Sequence, residues 1–122
     1  MDTKLLGRLG EAEAAEYLRK KGYAVLAMNY RTRLGEIDVI AADRKYIVFA
    51  EVKLRKDASV AAAREFVTRA KQRRLILAAE SFLQENPTKL QPRFDVIEVY
   101  APLGTGGKLR INHLVNAFDA GE

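Results

Sequence analysis

In the stretch GEIDVIAADRKYIVFAEVKLR, residues 35–55, Asp38, Glu51 and Lys53 interrupt two otherwise apolar runs. An unpaired charge carried into the body of a small domain costs several kcal/mol even after relaxation, and such a domain has only about 5–15 kcal/mol of stability in all. Side chains alternate faces along a strand, so Glu51 and Lys53 project from the same side as Ile47 and Phe49. With the connecting turn centred near Arg44, Asp38 lies opposite Ala50, about one residue from Glu51, on strands about 4.8 Å apart. Local twist or a bulge can aim the two carboxylates together, and clustered carboxylates repel unless a cation sits between them. A divalent metal supplies that cation. The plainer readings are a cross-sheet ion pair between Glu51 and Lys53, and Asp38 as a turn cap or a partner of Arg31 or Arg33.

Two helices add polar groups to the same argument. From Asp2 to Lys21 apolar residues recur at helical spacing; Asp2 or Thr3 caps the start and Gly22 stands where a helix stops. On this helix Gly7, Glu11, Ala14, Ala15 and Leu18 form one stripe, which sets Glu11 on a face of small and apolar residues. A second, long helix is expected from a Ser59 cap to about Glu85, closed by Asn86-Pro87. There Gln72 heads the stripe Leu75, Ile76, Ala79 and Leu83. Glu11 as an exposed helix charge and Gln72 as a donor to a backbone carbonyl are the ordinary alternatives.

The strands that carry the charges are 23–31, 36–42 and 46–54, with the last two joined through Asp43-Arg44-Lys45 as antiparallel neighbours. RFDVIEVYA, 93–101, is a fourth strand, Gly104 to Gly107 a loop, and 109–118 a last element of either type. The fold class that follows is α/β, a mixed sheet with an antiparallel three-strand meander flanked by helices, in a single domain over 1–122.

Composition narrows the chemistry. The chain has 122 residues, no cysteine and one histidine, His113. Disulfides, thiolate nucleophiles and thiolate zinc sites are excluded, and any metal is expected to be hard and oxygen-ligated. A net charge of +5 favours a polyanionic partner. No apolar run reaches the length of a membrane span and the N-terminus lacks a signal-peptide core, so a cytoplasmic protein without membrane association is expected.

Taken together, Gly10-Glu11, N-Y-R (29–31), G-E-I-D (35–38), F-A-E-V-K (49–53) and R-F-D (93–95) resemble the bacterial YraN family. That family is similar to the PD-(D/E)xK, or restriction-endonuclease-like, nucleases, near the archaeal-type Holliday junction resolvases. The resemblance covers about Gly7 to Phe118, with Ile37 in place of the proline that precedes the aspartate in the superfamily motif. It implies a restriction-endonuclease-like fold and an active site of Asp38, Glu51, Lys53 and Glu11, with Gln72 as a looser match. It also implies Mg²⁺ or Mn²⁺ held by Asp38, Glu51, the Val52 carbonyl and Glu11, directly or through water. Lys53 would then orient the attacking water or stabilise developing charge, and Gln72 position water or substrate.

Arg31, Arg33 and Arg55, with Lys56, near the strand ends, and Arg69, Arg73 and Arg74, with Lys71, on the long helix, suit a nucleic-acid backbone, DNA before RNA. For each alone the alternative is a solvated surface. The functional expectation is a metal-dependent nuclease acting on DNA, branched or junction forms included, or on RNA. The rival is a non-catalytic nucleic-acid-binding module that keeps the fold, whose binding persists in EDTA; a partner-binding domain is a third reading. A homodimer is compatible with the sequence, and no segment identifies its surface.

Overall fold

A computed structural model of the chain describes residues 3–55, 67–100 and 109–119. Its elements are α1 (Thr3–Lys20), β1 (Ala24–Arg31), β2 (Glu36–Ala42), β3 (Tyr46–Arg55), α2 (Arg69–Glu85), β4 (Gln91–Tyr100) and β5 (Arg110–Phe118). The strands form one sheet in the order β1-β2-β3-β4-β5. The first three are an antiparallel meander, β4 runs parallel to β3, and β5 is antiparallel to β4. The element whose type the sequence left open is therefore a strand.

The helices cover opposite faces. Ala14 and Leu18 of α1 pack on Val39, Ala41, Val48, Ala50, Ile97 and Val99. On the other face Leu75, Ala78, Ala79 and Phe82 of α2 pack on Ile37, Ile40, Ile47, Phe49, Phe94 and Val96. Strands buried on both faces read as continuous apolar runs, so a charge within them is conspicuous. Neither described helix is long and apolar enough to cross a membrane.

Gly22 ends α1 as its position predicts. It adopts φ +97°, its N–H donates to the Arg19 carbonyl at 3.0 Å, and the Tyr23 N–H reaches back to the Leu18 carbonyl at 2.9 Å. This paired closure requires a left-handed residue that glycine adopts without strain. α2 starts later than expected. Thr68 has extended backbone (φ −65°, ψ 161°) and its side chain accepts the Lys71 N–H, so it caps a helix beginning at Arg69. A single helix from Ser59 is ruled out by that extended cap. Asp2, Ser59, Lys56 and the Gly104 to Gly107 loop lie outside the described residues.

Candidate metal and nucleic-acid site

The β2–β3 ladder runs from Ala42–Ile47 to Val39–Ala50. One further step in that register sets Asp38 opposite Glu51, which corrects the expected pairing of Asp38 with Ala50. The turn explains the difference. Asp43 Oδ1 accepts the N–H groups of Lys45 at 2.9 Å and Tyr46 at 2.7 Å, and the Asp43 N–H donates to the Tyr46 carbonyl at 3.0 Å. The connection thus closes around Arg44 and Lys45 together, half a residue beyond a turn centred on Arg44. Past the end of the ladder, the Val52 N–H donates to Asp38 Oδ2 at 2.8 Å.

Gly35 helps to set where β2 begins. It is buried, and a Cβ there would overlap the Arg74 carbonyl oxygen of α2. Only a residue without a side chain lets the β1–β2 loop approach the helix backbone so closely. Thr32 ties the loop: its Oγ1 accepts the N–H groups of Leu34 and Gly35, both at 3.1 Å. Glycine, isoleucine and aspartate in G-E-I-D accordingly serve helix contact, core and site in turn.

Asp38 and Glu51 are half-buried and share a side-chain hydrogen bond. Burial, reinforced by the Glu51 charge, pushes the Asp38 carboxyl up to about 7. Burial also raises Glu51, against the opposing pull of the Lys71 and Lys53 ammonium groups. Lys53 is lowered by burial and by the neighbouring Lys71 cation. Burial and mutual repulsion thus oppose full ionisation of the two apposed carboxyls, with the Lys53 and Lys71 cations alongside Glu51.

Glu11 reaches this region from α1. Burial raises its carboxyl, the Asn29 side chain hydrogen-bonds it, and the Asp38 charge acts on it. Asn29 has φ 52°, a left-handed conformation uncommon outside glycine. Together with Gly7, Arg8 and Arg31, Glu11 and Asn29 line a cleft of about 510 Å³. Among the described residues no three histidine, aspartate or glutamate side chains converge as a ready-made ion cage. The donors within reach are the Asp38 and Glu51 carboxylates, with Glu11 farther out.

The remaining expected residues are distributed unevenly. Gln72 donates its Nε2 to the Val67 carbonyl at 2.9 Å, the ordinary alternative weighed for it, and so anchors the approach to α2. Arg31 pairs with Glu36 at 3.3 Å, with the two side chains 74% and 59% exposed. Arg33, Arg69, Arg73 and Arg74 are exposed. Arg55 is not available at the surface as expected. It is buried and paired with Glu98 at 3.4 Å, because alternation turns it inward beside β4, where Glu98 also accepts from Tyr100 and Asn112.

Sequence reasoning missed Lys71 as a neighbour of Glu51 and Lys53, and Asn29 as the partner of Glu11. It also missed a second polar cluster on the α1 face. Arg93 holds Asp95 through Nε at 2.9 Å and Nη2 at 2.8 Å, and also donates to Tyr23 Oη at 2.7 Å. His113 Nε2 lies 2.6 Å from Asp95 Oδ2, and the Asn116 N–H donates to Asp95 Oδ1 at 2.9 Å. The R-F-D spacing, which sets Arg93 and Asp95 on one strand face, was the available signal.

The profile of the uncharacterised protein family UPF0102 matches residues 10–99. The chain is similar to the UPF0102 protein of Caldanaerobacter subterraneus subsp. tengcongensis, 40% identical over 119 residues, covering 97% of this chain and 98% of that one. The UPF0102 protein of Caldicellulosiruptor saccharolyticus is 43% identical over 119 residues, covering 97% and 100%. That of Chlorobium phaeobacteroides is 45% identical over 118 residues, covering 93% of each.

Proposed function

The chain belongs to the uncharacterised protein family UPF0102, and for it we propose metal-dependent hydrolysis of phosphodiester bonds in nucleic acid, on a restriction-endonuclease-like fold. DNA is the favoured substrate class, branched forms included, with RNA as the other. The observation that carries this reading is the apposition of Asp38 and Glu51 at the end of the β2–β3 ladder, with Lys53 on the strand face of Glu51.

The donors are all oxygen, and a carboxyl raised to about 7 by burial and by its neighbour fits a cation that would displace its proton. Asp38 and Glu51 would hold Mg²⁺ or Mn²⁺, with the Val52 carbonyl and Glu11 completing the set directly or through water. Such an ion supplies charge neutralisation at the phosphate and a water acidic enough to ionise near neutral pH. Mg²⁺ commonly uses one or two carboxylates and keeps several waters, which suits a site with few protein donors. Lys53, partly desolvated beside Glu51, would hold the attacking water or stabilise charge on the phosphate oxygens. Its role lies in the transition state more than in binding.

The polyanion is supported by the N-terminal end of α2. Its first turn carries no acidic residue, while Arg69, Lys71, Arg73 and Arg74 crowd the positive end of the helix dipole. That placement opposes helix stability and suits phosphate. Cleavage of branched, single-stranded and duplex DNA and of RNA with Mg²⁺ or Mn²⁺, beside Lys53→Ala, tests the proposal. A metal-dependent product lost in Lys53→Ala is expected; binding that persists in EDTA with no cleavage of any substrate would leave a binding module instead.

A further inference from the structure

We propose that the cleft between α1 and β1 is a subsite for one unpaired nucleic-acid strand, gripped through its phosphates by Arg8 and Arg31. The proposal deepens the nuclease reading and rests on it for the identity of the polyanion. A volume of about 510 Å³ falls within the roughly 300–1,000 Å³ of small-ligand sites. That volume suits a nucleotide-sized length of one strand.

The described lining suits the backbone. Among the described residues that line the cleft, Gly7, Arg8, Glu11, Asn29 and Arg31, none is aromatic. Two guanidinium groups match phosphate oxygens in a fork geometry. Arg31 forms a solvent-exposed ion pair with Glu36, a contact weak enough to be exchanged for phosphate. The Glu11 carboxylate is engaged by Asn29, and Arg8 is an exposed cation set on α1, while Arg31 is on β1. Asn29 keeps its left-handed backbone at this cleft, a strained conformation of the kind found at ligand sites.

Gly7 supplies the last observation. It lies inside α1, where glycine weakens a helix relative to alanine, yet a Cβ there would meet no atom within 4 Å. Folding therefore does not need the missing side chain, whereas an open cleft does. The subsite adjoins the carboxylates through Glu11, which the Asp38 charge reaches, so a strand lying in it is delivered to them.

The test uses the full chain in EDTA, with fluorescence anisotropy of labelled dT12 and of a 12-base-pair duplex across a salt series. Arg8→Gln is expected to weaken dT12 binding about tenfold and to reduce the log-log salt slope by about 0.7, with duplex binding changed less than about twofold. Gly7→Leu, which projects into the cleft, should lose dT12 binding to a similar extent while its melting temperature stays level or rises. A wild-type chain that does not bind dT12, unchanged dT12 affinity in both variants, or equal weakening of dT12 and duplex would overturn the subsite. The nuclease reading fails separately: a wild-type chain that binds dT12 but cleaves nothing leaves the subsite standing. Variants that cleave single strands at the wild-type KM overturn the subsite alone.

Discussion

Replacing Asp38 by Asn should make the metal-free protein more stable, by an amount that depends on pH. The folded chain holds the Asp38 proton up to about 7 against an ordinary 3.8, so between those values the folded state binds more protons than the unfolded state. Stability must then fall as pH rises through that window and level off above it. At about 1.4 kcal/mol for each pH unit, ionising Asp38 in the fold costs up to about 4 kcal/mol by pH 8. Asparagine keeps an oxygen to accept the Val52 N–H and an amide to donate to Glu51, so it retains the hydrogen bonds and removes the charge. We expect urea denaturation in EDTA to show Asp38→Asn about 2–4 kcal/mol more stable than wild type at pH 8, with equal m-values, and nearly level with it at pH 4. A variant less stable at pH 8, or a difference that does not change with pH, would refute the account of Asp38 as a buried carboxyl crowded by Glu51.

Asp95→Asn should do the opposite. It leaves Arg93 and His113 without their anion and should cost about 3–5 kcal/mol at pH 7; hydrogen bonds from His113 and Arg93 outweigh burial and hold Asp95 below the usual carboxylate range, so the loss should shrink as pH falls below 3.8 and Asp95 itself is protonated. Gly35→Ala should lose about 1–3 kcal/mol in chemical denaturation, because its Cβ would strike the Arg74 backbone; an unchanged midpoint would mean the loop and α2 do not meet. Thr68→Ala should lose about 1 kcal/mol in the same denaturation assay through the missing cap. Neutralising Arg69 or Arg73 should lower the salt slope of duplex binding by about 0.9 per phosphate contact, while Arg55→Gln should act on folding through its buried pair with Glu98.

Much of the fold was legible because its signals are local. Gly22 and Asn86-Pro87 stop their helices where the sequence places them, and the alternation that puts Glu51 and Lys53 beside Ile47 and Phe49 needs only the period of a strand. Glu11 was legible for the same reason, as one acid on a stripe of small residues. What failed depended on partners far along the chain. Arg55 has the composition of a surface arginine and becomes a buried one only because β4 brings Glu98 beside it. The Asp95 cluster joins Tyr23, just before β1, to Arg93 of β4 and His113 of β5, and the R-F-D spacing announces only the Arg93–Asp95 part of it. The error in the Asp38 register came from half a residue in a turn, which Asp43 decides through two hydrogen bonds.

Asp38 and Asp95 are both carboxylates set into strands of one sheet, and their surroundings treat them in opposite ways. Asp95 receives donors from Arg93, His113 and the Asn116 backbone, so its charge is compensated within the chain and its proton is given up easily. Asp38 receives one backbone N–H and faces another acid, so its charge is compensated only by retaining a proton. Among the described residues no buried side-chain nitrogen or oxygen lacks a partner. The shortfall at Asp38 is therefore one of charge and not of hydrogen bonding, and asparagine would satisfy the same contacts without it. A fold able to neutralise Asp95 has the means to neutralise Asp38, and an Asp38 carboxyl left short of donors at the end of a ladder fits the exchangeable cation proposed for this site.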